Sequence, residues 1–339
     1  MVAYNYTNHT LFSIENDALR YSWAAWYLFV ALCSLLGDTT ILVAAIKYNA
    51  FNMSSLVVTF IEQISVTDLI FSMVCILPVI VSVIKGGVIF GISFHYVRVY
   101  ISYYCYAAQT LLICGMTTYK VLLLKYPLRV RRWSKKQVYK ICAVIWTIAL
   151  FNPIAFLIVD KDDVYFDYRI YTHNYGFSSG TWDLLVPISS IIGLLIPNII
   201  TIGATVILIN KALRIVRKDR RSNLRWQGII TVVFAAVVYN LSILPLTVYS
   251  ILQPFIKWDP VNPGPFHTHF YRIAVTFLTF NIMGNFFIYS LTVSGFREFL
   301  KSCIIGHIRR LRLGSSSLEM PVTRQRRSCS QTVSKECPV

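Results

Sequence analysis

Seven long apolar runs separated by polar connections set the pattern of the chain, over residues 23–46, 56–84, 96–124, 138–159, 184–210, 227–254 and 270–293. An α-helix needs about 20 apolar residues to cross a hydrocarbon core about 30 Å thick, and each run supplies that length. The longer ones predict tilt, or extension beyond the bilayer. Backbone N–H and C=O groups find no water in lipid, so runs of this length read as helices; barrel strands would be shorter and would alternate. After the last run the period changes. Ser294-Gly295 can break the helix, and Phe296, Phe299, Leu300, Cys303 and Ile304 then share one face with Arg297, Lys301 and Ser302 elsewhere. That is the pattern of a helix lying on a membrane surface. The expected fold class is an all-α membrane protein: a seven-transmembrane helix bundle with a short amphipathic eighth helix.

Composition agrees, with 56% hydrophobic and only 14% charged residues in 339 and a mean hydropathy of +0.58. A net charge of +17 raises the question of a nucleic-acid partner, and its distribution answers it. Lys125, Arg129, Arg131, Arg132, Lys135, Lys136 and Lys140 fill the third connection. Lys211, Arg214, Arg217, Lys218, Arg220, Arg221 and Arg225 fill the fifth, Lys47 follows the first span, and Arg297, Lys301, Arg309, Arg310 and Arg312 follow the last. The even connections carry acids instead, among them Asp160, Asp162, Asp163, Asp167 and Asp259. This alternation places the N-terminus outside and the C-terminus in the cytoplasm, as expected of a multi-pass plasma-membrane protein, and it suits contact with anionic membrane lipids. No basic stretch interleaves with aromatics on a soluble fold, so no nucleic-acid role is expected.

The chain thus reads as an extracellular N-terminal segment (1–22), a membrane domain (23–305) and a cytoplasmic tail (306–339) that is rich in Ser, Thr and Arg from Gly314 and expected to be disordered. There is no repeat of solenoid period and no second soluble domain. Asn5-Tyr6-Thr7 and Asn8-His9-Thr10 are glycosylation acceptor patterns in the outer segment, whereas Asn52 and Asn240 match only by chance, given their positions. The first apolar run lacks a basic leader and reads as a span, not a cleaved signal. Cys33, Cys75, Cys105, Cys114 and Cys142 fall in spans and Cys303, Cys329 and Cys337 on the cytoplasmic side, so no outer disulfide is expected. Cys303, just past the last span, is placed for palmitoylation. Among six histidines only His267-Thr268-His269 are close in sequence, without carboxylates or cysteines nearby, so neither a metal site nor an enzyme is expected.

Three polar residues lie deep within spans. At about 1.5 Å per residue, Asp38, Asp68 and Asn285 sit roughly 12, 18 and 12 Å from the inner ends of the first, second and seventh runs. They share one layer. Such groups are costly in lipid unless they face the bundle interior, pair or meet water, which predicts a polar pocket there rather than packing contacts alone. Asn281, Asn285 and Tyr289 recur every four residues and so form one stripe pointing at that layer.

These features together resemble the rhodopsin-like (class A) G-protein-coupled receptors over residues 23 to 305. Gly37-Asp38 resembles the Gly-Asn of the family's first helix. Asp68, in Ser65-Val66-Thr67-Asp68-Leu69, resembles the acid of the second helix that binds sodium in many relatives, so the resemblance implies no cofactor beyond a sodium ion near Asp68. Trp146 resembles the fourth helix's tryptophan, and Pro197 and Pro245 the bend prolines of helices five and six. Asn285-Phe286-Phe287-Ile288-Tyr289 resembles Asn-Pro-x-x-Tyr, and Phe296-Arg297 opens the eighth helix. Counting back from Pro127-Leu128, Tyr119-Lys120-Val121 stands where Asp-Arg-Tyr is usual.

The resemblance implies a receptor that answers an extracellular ligand of unknown class by opening helices five and six toward a heterotrimeric G protein, with an arrestin as a further partner of a phosphorylated tail. It carries an activation relay onto Lys120, Tyr119, Asn281, Asn285, Tyr289, Tyr239, Pro245 and Pro197, and a polar or ion cluster onto Asp38 and Asp68. The departures are specific. Lysine lacks the planar fork of arginine, Arg225 replaces the acid that would pair with it, Ile243 replaces the sixth helix's tryptophan, Phe286 the seventh's proline and His95 the third's disulfide cysteine. For the ligand site the candidates are Ser102, Ile243 and Thr279. Ser102 stands where amine receptors carry an aspartate and Thr279 where opsins carry the retinal lysine, which disfavours both ligand classes. The acidic, aromatic stretch from Asp160 to Tyr168 suits a cationic peptide as well as a solvated cap. The alternative readings are an ion-coupled transporter or channel, against which no paired half-sequences appear, and a non-signalling receptor-like protein.

Overall fold

The computed structural model describes residues 17–48, 50–51, 55–85, 89–130, 132–154, 164–167, 172–175, 188–218, 223–252 and 265–316. Helix α1 spans Asp17–Ile46, α2 Ser55–Phe71, α3 Leu77–Lys85, α4 Gly91–Lys125, α5 Pro127–Val130 and α6 Lys135–Ala149. After a two-stranded hairpin come α7 (Ile196–Lys218), α8 (Asn223–Leu252), α9 (Pro265–Thr292) and α10 (Ser294–Ser316). Six of the seven expected spans appear among the described residues as helices long and apolar enough to cross a membrane. The fourth is shorter: α6 ends at Ala149 in a run of turns, and residues 155–159 of the expected span lie outside the described residues.

Each apolar run forms a helix for a reason that also decides its neighbours. The exterior is lined by Leu28, Phe29, Leu32 and Leu36 on α1, by Ile192, Ile196, Ile199 and Val206 around α7, and by Phe277, Phe280, Phe287 and Leu291 on α9, all exposed. The interior holds the buried Ser34, Asp38, Asp68, Gln109, Asn281 and Asn285. That is the reverse of a soluble protein, and it fits a solvent of lipid tails, which reward no internal apolar burial and penalise every external polar group. Helix α4 is central, packing on α2, α6, α7 and α8, while α1 packs on α2, α3 and α9, and α9 most extensively on α8.

Two features of the helices are absent from the hydrophobic pattern. Between α2 and α3 the helix widens into a π-helical segment, Ser72–Ile76, and a second, Ile191–Leu195, precedes α7. Each ends two residues before a proline, Pro78 or Pro197. Proline has no N–H and its ring clashes with the carbonyl four residues back, so the preceding turn loosens to accommodate it. The second segment admits a side chain: Asn152 donates Nδ2 to the Ser189 carbonyl at 3.0 Å, in space that exists because residue 193 is glycine; a Cβ there would lie 1.7 Å from that nitrogen. Pro245 sits inside α8 without such a segment.

Helix starts follow local chemistry. Ser134 caps α6 in a reciprocal box, accepting from Gln137 N at 3.4 Å while Gln137 Oε1 accepts from Ser134 N at 2.8 Å. Gly91 opens α4 with φ of 73°, a left-handed conformation that glycine adopts without a Cβ clash. The hairpin pairs β1 (Val164–Asp167) antiparallel with β2 (Thr172–Tyr175), Val164 opposite Tyr175 and Asp167 opposite Thr172. It lies within the acidic loop that the hydrophobic pattern leaves without structure.

The chain divides into two units, Met1–Arg297 and Glu298–Val339. The expected break after the seventh span falls at Val293, one residue before Ser294-Gly295. Helical bonding bridges it, from Val293 N to Tyr289 O at 3.0 Å and from Arg297 N to Val293 O at 3.1 Å. Helix α10 is not short: it runs to Ser316, past residue 305, so the first part of the tail expected to be disordered is helical.

Candidate functional site

The expected polar layer is a connected network. Asn285 on α9 donates Nδ2 to Asp68 Oδ2 at 2.6 Å, and Gln109 on α4 donates Nε2 to Asp68 Oδ1 at 2.8 Å. Gln109 in turn accepts from Asn281 Nδ2 at 3.0 Å, so Asp68 on α2 is held from two helices and those two are tied to each other. Beside it, Ser72 donates to Ser34 at 2.7 Å, and Ser34 to Asp38 Oδ2 at 2.8 Å. Ser72 is the first residue of the π segment, so the widening before Pro78 is what aims this hydroxyl at α1. The charges of Asp38 and Asp68 are close enough to interact. Asp38 reaches this layer because Gly37 lets α1 approach α9 closely: a Cβ at residue 37 would lie 2.8 Å from the Phe286 Cβ.

Among the described residues, Asp38 Oδ1, Ser65 Oγ and the Tyr289 hydroxyl are buried without a hydrogen-bond partner. All three are oxygens of the kind that hold a hard cation or water. Both Asp68 oxygens, by contrast, already accept amide N–H groups. A sodium ion therefore fits this layer on the side of Asp38, Ser65 and Tyr289 better than on the amide side of Asp68.

The relay candidates occupy two further sites. Tyr239 on α8 and Thr110 on α4 share a hydrogen bond between hydroxyls. Thr110 spends its one proton on the Tyr106 carbonyl at 2.7 Å, so Tyr239 donates. Pro197 accepts at its carbonyl from Thr201 at 2.8 Å. At the end carrying the basic connections, Tyr289 is closed in by Phe51, whose ring lies 5.7 Å from it edge-on and 5.3 Å from Phe296 in a stack, with Phe286 6.0 Å from Phe296. Tyr119 packs between Phe60 at 6.4 Å and Trp133 at 5.9 Å. Lys120 is 7% exposed, and among the described residues no acid pairs with it. Arg225 lies in α8, with its side chain outside the described residues.

At the opposite end of the bundle lies a cavity of about 100 Å³ between α1, the α2–α3 segment, α4, α8 and α9. Ser102 and Thr279 both line it, but their hydroxyls are engaged elsewhere. Ser102 donates to the Arg98 carbonyl at 2.9 Å, and Thr279 donates to the Thr276 carbonyl at 2.8 Å while accepting from Trp26 Nε1 at 3.1 Å. Ile243, the third ligand candidate, is 1% exposed and does not line the cavity. It sits below, buried among the helices, because the cavity closes above its level.

Three residues escape the sequence reading. Gln109 is central to the network, yet a lone glutamine in an apolar run carries no signal of which acid it meets. Gln63 accepts from Trp146 Nε1 at 3.0 Å, and Glu62 from the Tyr139 hydroxyl at 2.8 Å, together joining α2 to α6; an acid in the second run was the available clue. Arg98, buried in the cavity wall, was the other. Asn5 and Asn8 lie outside the described residues, and Cys303 is exposed. The family described as 7 transmembrane receptor (rhodopsin family) matches the chain over residues 39–289. No curated protein matches it.

Proposed function

The chain belongs to the rhodopsin family of seven-transmembrane receptors, and from that premise we propose that it passes an extracellular ligand signal to heterotrimeric G proteins by outward movement of α7 and α8. The observation that carries the reading is the pair of links into α4: Asp68 bonded through Gln109, and Tyr239 on α8 bonded to Thr110. A ligand that repacks α4 thereby alters the bonds that hold α8 and α9, and shifts the population between two arrangements of the same helices. Asp38, Asp68, Asn281, Asn285 and Tyr289 form the hinge region of this relay, Pro197 and Pro245 the points where α7 and α8 bend, and Tyr119 and Lys120 the end that meets the G protein.

Lys120 replaces the usual arginine, and no acid holds it among the described residues. The resting state is therefore weakly latched, and basal signalling is raised. A sodium ion, if bound, would be held by Asp38, Ser65 and Asp68, where it would neutralise the paired carboxylates. The N-terminus is outside with Asn5 and Asn8 glycosylated, the basic connections face anionic lipid in the cytoplasm, Cys303 is palmitoylated, and the tail recruits an arrestin once phosphorylated.

The test is G-protein activation in cells expressing the chain without ligand, at matched surface expression, for the native protein, Lys120→Ala and Asp68→Asn. Basal signal that falls in the Lys120 variant supports the reading. A native chain silent at every G-protein class, with Lys120→Ala indistinguishable from it, counts against raised basal coupling and favours a non-signalling receptor-like protein.

A further inference from the structure

The cavity opposite the basic connections has a chemical bias. Arg98, 6% exposed, is the one charged residue among the described residues that line it. Around it the wall supplies the phenols of Tyr27, Tyr103, Tyr106 and Tyr271. The hydroxyls of Ser102 and Thr279, the obvious sequence candidates, are already committed to helix carbonyls.

The guanidinium is also fixed in place from below. The Arg98 carbonyl accepts from Ser102 at 2.9 Å and from the Cys75 thiol at 3.6 Å. Cys75 lies in the π segment Ser72–Ile76, so the widened turn of the second span holds the turn of α4 that carries Arg98. A wall with one guanidinium, several phenols and no acid penalises a cationic guest and favours an anionic one. Its size narrows the guest further. A cavity of about 150 Å³ holds a benzene-sized molecule, and this one is about 100 Å³.

We propose that this cavity takes a small monocarboxylate of about one ring in size, its carboxylate bound by the Arg98 guanidinium and the surrounding phenols and its apolar body lying against Val79, Leu246 and Leu278. This rests on the receptor reading above and names the ligand class for it. Guanidinium meets carboxylate as a planar fork with two parallel bonds, which a lysine in its place would not reproduce.

The test uses the full chain purified in nanodiscs, with thermal unfolding and direct titration calorimetry as readouts that need no G protein. The probes are benzoate and phenylacetate, with benzyl alcohol, benzylammonium and inorganic phosphate as neutral, cationic and non-carboxylate counterparts. The expected result is stabilisation and measurable binding by the carboxylates alone. Arg98→Gln should weaken that binding about tenfold or more, as loss of a charge-assisted pair implies, and Arg98→Lys should recover only part of it. Should Arg98→Gln fail to fold, Tyr271→Phe and Leu246→Trp stand in for it, the first removing a phenol and the second filling the cavity; each should weaken binding. Binding of benzylammonium or benzyl alcohol equal to that of benzoate overturns the proposal, as does carboxylate binding unchanged in all the variants, or no binding by either carboxylate to a folded native chain. Failure here with basal signalling present would remove the ligand class and leave the receptor reading; carboxylate binding without signalling would do the reverse.

Discussion

Gln109→Met tests the network most directly. The glutamine is 3% exposed and bonded at both ends, to Asp68 Oδ1 at 2.8 Å and from Asn281 Nδ2 at 3.0 Å. Methionine keeps the length and apolar volume but removes both bonds, leaving a carboxyl oxygen and an amide hydrogen buried without partners. Hydrogen bonds between membrane helices average about 0.6 kcal/mol and reach about 1.7, so two of them set a range of roughly 1–3 kcal/mol. At about 2–4 °C per kcal/mol for chains of a few hundred residues, a loss near 2 kcal/mol lowers the melting temperature by roughly 4–8 °C. The assay is thermal unfolding of the purified full chain, read by a thiol-reactive fluorophore, because Cys75, Cys105 and Cys142 are buried and free and react only as the bundle opens. Gln109→Met combined with Asn281→Leu should cost less than the sum of the two, by about 0.5 kcal/mol or more, since each single change already breaks the shared bond. A melting temperature within about 1 °C of native for Gln109→Met, or strict additivity in the pair, would refute the network.

Two further changes probe close approaches of backbone and side chain. Gly37→Ala places a Cβ 2.8 Å from the Phe286 Cβ, an atom tied to its own backbone, so α1 and α9 must separate; the expected cost is about 1–3 kcal/mol, read as a lower melting temperature, and an unchanged value would show that the helices do not approach this closely. Gly193→Ala drives Asn152 from its bond to the Ser189 carbonyl and should cost about 1–3 kcal/mol. Asn152→Ala clears the space, so the double variant should be more stable than the two separate losses predict; a double variant no better than their sum refutes the contact.

What the sequence determined by itself was the architecture and the depth of its polar groups. Run lengths set the spans, because lipid satisfies no backbone group. Helical rise placed Asp38, Asp68 and Asn285 in one layer, and the four-residue recurrence of Asn281, Asn285 and Tyr289 aimed them inward. The positions of Ser102 and Thr279 at the cavity wall were legible too, though not that their hydroxyls were already spent. What only the tertiary structure decided was which partners meet. Gln109 and Ser34 look like incidental polar residues in apolar runs until the packing of α4 and α1 brings them to Asp68 and Asp38. The π segments before Pro78 and Pro197 rotate Ser72 and Cys75 to faces that an ideal 3.6-residue period would not give them. Arg98 reads in the sequence as one base near the start of a span, and the enclosure of its guanidinium by phenols from other helices makes it the charge of the cavity. Spacing along a chain fixes depth and face within one helix; the distance between side chains on different helices depends on how closely their backbones approach, and here that is set by glycines and bends whose effect appears only once the helices are packed.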